Sequence, residues 1–332
     1  MAEIVAALLG FGNVGRAFCR YVLRQRAGRD RQITIRAVCD SSGVVTVDGE
    51  SQLENVLAHK ESGRGIREFS TGSATTDANR FIQSLNELGV SVLIESLPTN
   101  IDSGQPALEL IESALVHGTS VVTVDKGPVV HGLDKLLAAA KAGGSRLAFT
   151  GTTGVRVPDE IGDARVIEFR GVLNGTTNYI LTEMQERATP FDDALRQAQG
   201  NGIAEPDPRL DVEGWDTACK ILILAKSLMG ADARLSDVSR IGIGPETESL
   251  IEVGRSTGRV VRLIGRARIW QGRVRVSVAP KLVGPDSPFY GVTGTSKAAL
   301  IRTEGKGEFL SLGDSGRDAI AGTIETDIGL VE

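Results

Sequence analysis

Residues 3–18 read EIVAALLGFGNVGRAF: an apolar run, glycines at 10, 12 and 15, and then a segment whose apolar residues Val14, Ala17, Phe18, Tyr21 and Val22 recur at helical spacing. A second apolar run, ITIRAVCD at 33–40, follows. Strand, glycine loop, helix and strand in that order specify a βαβ unit with two parallel strands, which narrows the choice of fold more than any other feature of the chain. The alternation continues. VSVLIES (90–96), SVVTV (120–124) and RLAFT (146–150) read as strands, and helix-like segments near 76–88, 104–117 and 132–142 separate them. The expectation up to about residue 150 is an α/β domain built on a mainly parallel, doubly wound sheet of Rossmann type.

A glycine loop alone is weak evidence, because such turns also arise for steric reasons. Here it follows a strand and opens a helix, so it can turn tightly, let the backbone approach a pyrophosphate, and aim a helix N-terminus at its charge. Asp40 ends the second strand, where a carboxylate can accept hydrogen bonds from adenosine ribose hydroxyls. Ser41 and Ser42 follow it with no neighbouring arginine to pair a 2′-phosphate, which favours NAD over NADP, although a serine pair can also accommodate the phosphate. The expected cofactor contacts are Gly10, Phe11, Gly12, Asn13, Val14, Gly15, Asp40, Ser41 and Ser96.

At 332 residues the chain calls for two domains. After Pro158 the pattern changes: a strand at 165–172, helices near 176–187 and 191–200, a long helix from about 211 to 229, then strands at 259–269 and 273–283 with no helix between them. Adjacent strands of this kind indicate a second, α+β domain with a mixed sheet. The tail 307–328 reads as a strand, a Gly-Asp-Ser-Gly turn and a helix. A net charge of −5 argues against a nucleic-acid partner. The arginines between Arg255 and Arg275 alternate with apolar residues, as on a solvated strand face. Cys19, Cys39 and Cys219 are too few and scattered for a disulfide framework or a zinc site, which fits a reducing cytoplasm. Neither a signal-like N-terminus nor an apolar run of about 18 residues is present, so no membrane role is expected.

The second domain carries the chemistry. GNGIAEPDPRLDVEGWDTACKILILAKSLMG (200–230) joins an acidic, proline-containing loop to a very apolar helix. Asp216 and Lys220 lie four residues apart, on one helix face. Exposed, such a pair contributes about 0.3–0.5 kcal/mol and needs no function. The surrounding ILILA argues for burial, which disfavours an unpaired lysine charge and lowers its pKa toward the range of proton transfer. Lys126, in VVTVDKGPV, stands at the carboxyl end of an expected parallel strand, the end at which ligands bind; a solvated loop lysine is the alternative. Asn174, Gly175, Thr176 and Thr177 join a strand to a helix, forming an N-cap and an anion site, though capping alone also explains them.

These segments together resemble the catalytic region of the homoserine dehydrogenases. GFGNVG, VVTVDKGP, GVLNGTTNYIL, AEPDPRLDVEGWDTACKI and GDSGRDAIAGTIETDI occur in family order across nearly the whole chain. The resemblance implies interconversion of homoserine and aspartate 4-semialdehyde with NAD or NADP, with Lys220 and Lys126 as the catalytic lysines. It places Glu205, Asp211 and Asp216 at the substrate, and Gly175 and Thr176 near substrate or nicotinamide. It also implies that the tail returns to the nucleotide domain, with Gly313 and Gly316 near the nicotinamide. The expected domains are then 1–150 with 306–332, and 151–305 for substrate binding and dimerisation. A homodimer through the second domain's sheet is implied, and no appended regulatory domain.

Three departures stand out. Ile203 occupies a position where the family has tyrosine. Thr150 replaces an acid in a segment that lines a monovalent cation site in the family, here Thr150, Thr153 and Val155, and a neutral oxygen argues against bound sodium. Arg156 replaces a small residue; it can fill the cation's place, bind a carboxylate of a different substrate, or face solvent. A related hydroxy amino acid or hydroxy acid is therefore an alternative substrate, and a non-catalytic NAD-binding redox sensor is the rival from another class.

Overall fold

β1 (Ala2–Leu9) is an unbroken apolar run from Ile4 onward because both of its faces are covered there. Leu8 packs with Phe18, Val38 and Ile94, whereas Leu9 packs with Leu93, Ile111 and Leu136 on the opposite side, the period-two alternation of a strand. The computed structural model describes residues 2–24, 31–69, 77–313 and 317–332, which divide into two units: Met1–Thr152 with Gly316–Glu332, and Thr153–Ser315.

In the first unit the chain runs through β1, α1 (Asn13–Arg24), β2 (Arg31–Asp40), β3 (Gly43–Thr46), α2 (Glu50–Glu61), α3 (Ala78–Ser84), β4 (Val92–Glu95), α4 (Ala107–Val116), β5 (Ser120–Thr123), α5 (Lys126–Gly143), β6 (Leu147–Ala148) and α6 (Thr150–Thr153), which reaches the boundary. The sheet order is β3-β2-β1-β4-β5-β6. β1 is parallel to both β2 and β4, and β4, β5 and β6 continue in parallel, while β3 folds back antiparallel on β2. This is the expected doubly wound, Rossmann-type sheet. Chain order reverses between β1 and β4, so the ligand crevice falls at their carboxyl ends, at Gly10 and Ser96.

Sequence periodicity overlooked β3 and α2, and α5 begins at Lys126 rather than near 132. The glycine and proline at 127–128 read as breakers. In the fold Pro128 sits in the first helical turn, where a missing N–H costs nothing, and the Asp125 side chain caps the helix by accepting from Gly127 N at 2.9 Å.

The second unit contains β7 (Val166–Val172), α7 (Gly175–Glu186), α8 (Phe191–Gly200), α9 (Arg209–Val212), α10 (Trp215–Met229), β8 (Ser239–Arg240), α11 (Thr247–Ser256), β9 (Val260–Trp270), β10 (Arg273–Val283), β11 (Lys297–Thr303) and β12 (Gly307–Gly313). Its sheet, ordered β12-β11-β7-β9-β10-β8, is antiparallel except for the β10–β8 pair, hence mixed as expected. The apolar α10 lies against β7, β9 and β10 and is buried from Thr217 to Ala225. Where one long helix was expected, α9 and α10 are separated at Gly214, whose φ of 82° is left-handed. On the other sheet face Phe289 and Val292 cover Val172, Ile264, Ala298 and Leu300, and the buried Arg262 guanidinium donates to the carbonyls of Val261, Phe289 and Tyr290.

α11 and β11 were not anticipated. Because β12 pairs with β11, the segment returning to the first unit starts at residue 316 rather than 306. It consists of α12 (Arg317–Val331), which packs along α1; there Tyr21 donates its hydroxyl hydrogen to Glu325 at 2.6 Å. Gly316 lies outside the described residues.

Candidate active site

The glycine loop has the shape a dinucleotide requires. Gly10 has φ 102°, and a Cβ there would lie 2.6 Å from the Ser96 carbonyl oxygen; a Cβ on Gly15 would lie 2.2 Å from that of Gly10. Only glycine allows the turn and lets α1 start this close to β1. Ser96 closes the loop from β4 by donating its hydroxyl to Gly10 O at 3.0 Å. Phe11 is buried beneath the loop, while Gly12 and Asn13 are exposed and Val14 is half-buried, so the α1 N-terminus is open to solvent.

Asp40 stands at the end of β2. One carboxylate oxygen accepts from Ser42 N (2.7 Å) and Ser42 Oγ (2.6 Å), and the other accepts from Lys60 Nζ at 2.5 Å. Burial alone would raise the Asp40 carboxyl, but the hydrogen bonds from Lys60 and Ser42 outweigh it and hold the group below its ordinary range. Ser41 is exposed beside it. Lys60 escaped the sequence reading because its partner lies 20 residues away and no local pattern links them. Lys126 is the first residue of α5, half-buried at the carboxyl end of β5, and so is not a solvated loop lysine.

The second unit gathers five residues into one cluster. Lys220, buried on α10, donates to Asp216 Oδ2 at 2.6 Å and to the Leu173 carbonyl at 2.9 Å. Asn174, the N-cap of α7, accepts from Thr177 N through its amide oxygen, while its amide nitrogen bridges Asp211 Oδ1 (2.6 Å) and Asp216 Oδ2 (2.8 Å). Thr176 donates to the Ile203 carbonyl at 3.0 Å and also hydrogen-bonds Asp211. Burial and the nearby Asp216 charge push the Asp211 carboxyl up, against the hydrogen bonds of Asn174 and Thr176 and the charge of Lys220. Two carboxylates thus face one ammonium in a desolvated place.

Gly175 is buried at the start of α7, beside this cluster in sequence. Glu205 is exposed, two residues after the Ile203 carbonyl that Thr176 reaches, and its own carbonyl accepts from Gln199. Asn174 had read as a cap; its second role as the amide between two acids was concealed by the first. A groove of about 1410 Å³ in the same unit contains no member of the cluster and is lined instead by residues such as Arg170, Arg266, Arg268 and Arg275 on the sheet.

The segment expected to line a monovalent cation site, Thr150, Thr153 and Val155, makes polar contacts of its own. Thr153 Oγ1 accepts from Val155 N, and the Lys297 ammonium lies 3.6 Å from where a side chain on Gly154 would begin, so positive charge already stands at this segment. Asp327, fully buried, accepts from Thr150 and Gly151 and leaves its Oδ1 without a partner; burial pushes its carboxyl up, against those hydrogen bonds. Among the described residues no group of three or more His, Cys, Asp or Glu side chains could hold a metal. Arg156 is 79% exposed and pairs with Asp159, which places it in solvent.

Comparison with known proteins agrees with this geometry. The family described as homoserine dehydrogenase matches residues 159–328, and the one described as the homoserine dehydrogenase NAD-binding domain matches residues 10–150. A homoserine dehydrogenase of Methanocaldococcus jannaschii is 31% identical over 96% of this chain and 94% of its own length. An NAD(+)-dependent homoserine dehydrogenase of Pseudomonas canavaninivorans is 31% identical over 99% of this chain and 96% of its own. The solved structure of a hyperthermophilic archaeal homoserine dehydrogenase in complex with NADPH superposes with a TM-score of 0.79 at 26% identity, covering 99% of this chain and 98% of that one.

Proposed function

The chain belongs to the homoserine dehydrogenase family, NAD(P)-dependent oxidoreductases acting on a CH–OH group, and on that premise we propose that it interconverts homoserine and aspartate 4-semialdehyde with Lys220 as its proton carrier. The observation that carries the proposal is the Asn174–Asp211–Asp216–Lys220 cluster. With both acids ionised it holds one negative charge more than positive when Lys220 is an ammonium and two more when Lys220 is an amine, so the ammonium of an amino-acid substrate meets excess negative charge in either state. A pure redox sensor has no use for such a cluster.

NAD(P), when bound, supplies the hydride acceptor for the alcohol carbon. The chain supplies the rest. As the alcohol is oxidised its hydroxyl proton passes to Lys220 Nζ in the amine form, and Asp216 and the Leu173 carbonyl hold that nitrogen in place as it becomes an ammonium. In the reverse direction the same ammonium polarises the aldehyde oxygen and returns the proton. Asp211 binds the substrate ammonium, with Glu205 as a further acid for it, and the backbone amides at Gly175 and Thr176 receive the carboxylate at the start of α7. Lys126 is the second lysine of the proposal and stabilises developing oxyanion charge.

The loop at Gly10, Gly12 and Gly15 and the α1 N-terminus fit a pyrophosphate, and Asp40 fits ribose hydroxyls. NAD is the preferred cofactor in this reading, with NADP accepted because Lys60 offsets the repulsion of a 2′-phosphate by Asp40. A homodimer is part of the proposal; the exposure of Leu310 and Leu312 on β12 of the second sheet supports it, and sedimentation equilibrium tests it. Among the described residues no helix is long and apolar enough to cross a membrane, which is compatible with a cytoplasmic enzyme.

The deciding experiment follows NADH or NADPH formation from homoserine, at constant ionic strength with sodium, potassium or choline as the cation. Saturable turnover that ignores the choice of cation is expected. Cofactor binding without turnover would reject homoserine as the substrate.

A further inference from the structure

The carboxyl ends of β4 and β5 hold a buried acid that the reaction above does not use. Glu95, the last residue of β4, is fully buried. Its Oε1 accepts from Leu97 N at 2.7 Å and its Oε2 is hydrogen-bonded to the Thr123 hydroxyl at 2.5 Å. Thr123 Oγ1 accepts in turn from Asp125 N at 3.1 Å, and the Asp125 carboxylate accepts from Gly127 N at 2.9 Å and from the side chain of Thr99. An unbroken chain of hydrogen bonds therefore runs from Leu97 through Glu95, Thr123 and Asp125 to Gly127. One end adjoins Ser96, which closes the glycine loop, and the other brackets Lys126. An apolar residue at 95 would fill the same space without the cost of burying a carboxyl group, but it would leave Leu97 N and the Thr123 hydroxyl without this partner.

We propose that Glu95 is a positioning residue of the cofactor crevice: its carboxyl group ties the loop bearing Ser96 to the helix start bearing Lys126, and repulsion between Glu95 and Asp125, when both are ionised, works against that tie. This rests on the reading of Ser96 and Lys126 as cofactor-facing residues. Asp125 faces Glu95 from the start of α5, with Lys126 beyond; on the β1 side its register partner is Leu9; α12, which packs along β4 and β5, carries the buried Asp327, occupied with Thr150 and Gly151. Burial, and then the charge of Asp125, push the Glu95 carboxyl up to about 8, against the hydrogen bonds from Thr123 and Leu97. Burial raises Asp125 as well. Below that pH the chain of hydrogen bonds holds a single negative charge at most. Above it two carboxylates oppose each other with little water between them.

The test is NADH affinity by fluorescence titration from about pH 6 to about pH 9.5, with the thermal midpoint of each protein measured alongside. Wild type is expected to bind evenly below pH 8 and to weaken above it, by up to about tenfold per pH unit where only the protonated form binds well. Glu95→Gln, which is permanently neutral, is expected to lose that break. Glu95→Leu, which breaks the ties, is expected to bind weakly at every pH. A purely structural role would move the thermal midpoint and leave the break near pH 8 in Glu95→Gln. That result, or a wild-type profile flat through pH 8, overturns the proposal. Absence of NADH binding by wild type at any pH would instead overturn the cofactor reading, and this inference with it.

Discussion

Replacing Lys220 by methionine separates the stability of the cluster from its chemistry. Lys220 and Asp216 are 11% and 12% exposed, and their 2.6 Å contact is reinforced on one side by the Leu173 carbonyl and on the other by the Asn174 amide. Removing one partner of a buried pair costs about 3–5 kcal/mol, because the carboxylate left behind is desolvated without compensation. Asn174 still reaches Asp216, so the lower end, about 3 kcal/mol, is expected for Lys220→Met. Adding Asp216→Asn removes the orphaned charge, and the double variant should recover about 2 kcal/mol of that loss. Turnover behaves differently. It should fall about 10²–10⁴-fold in Lys220→Met, the usual contribution of a positioned proton carrier, and the double variant should not restore it. Urea unfolding gives the first quantity and initial rates of NADH formation give the second, with NADH affinity as a control that the first unit is untouched. Losses that simply add across the two substitutions would refute the charge argument. Near-normal turnover in Lys220→Met would remove Lys220 from the mechanism.

Other expectations follow from the same groups. Asp40→Ala should raise kcat/KM with NADP relative to NAD, since it removes the ribose acceptor and releases Lys60 for a 2′-phosphate, and Lys60→Ala should lower it; unchanged ratios in both variants would exclude this pair from cofactor choice. KM for homoserine should rise as pH falls, because Asp211, pushed up by burial and by Asp216, must be ionised to hold the substrate ammonium; Asp211→Asn should bind homoserine weakly and lose that dependence. Unfolding free energy should decline as pH rises. The Glu95 carboxyl is raised in the folded state, from an ordinary value of 4.5 to about 8, so its protonated form contributes stability fully below 4.5 and loses it as pH climbs through 8. Urea midpoints across that window should show the decline, and Glu95→Gln should flatten it. At Asp40, which is lowered, the sign is opposite: its contribution is present above the ordinary carboxylate value and fades in acid.

What could be read from the sequence was what has a local cause. β1, the glycine loop and α1 were legible because burial on both strand faces demands an apolar run, and because a backbone at φ 102° under the Ser96 carbonyl demands glycine. The first turn of α5 was not, since Gly127 and Pro128 signal a break unless the Asp125 cap is known to be formed. The break of the expected helix at Gly214 was missed for the converse reason: a left-handed glycine within an apolar-rich segment looks like a tolerated interruption.

The site divides along the same line. Lys220 and Asp216 share a helix face, so their pairing follows from spacing alone, and Lys126 follows from its place after a parallel strand. The groups that govern those lysines come from elsewhere in the chain. Asp211 is joined to Asp216 through the amide of Asn174, about forty residues earlier, and Glu95 is joined to the segment bearing Lys126 through Thr123, on the next strand. Lys220 therefore stands beside two acids whose carboxylates share one side-chain partner, Asn174, and Lys126 follows Asp125, whose backbone N–H meets the Glu95 carboxyl through Thr123; tertiary structure supplies that third residue in each unit. A motif can mark the cation, because its position on a helix or strand end is local. How the two acids divide a proton depends on burial and on that third residue, so the pH dependence of both halves of the enzyme emerges only from the folded chain.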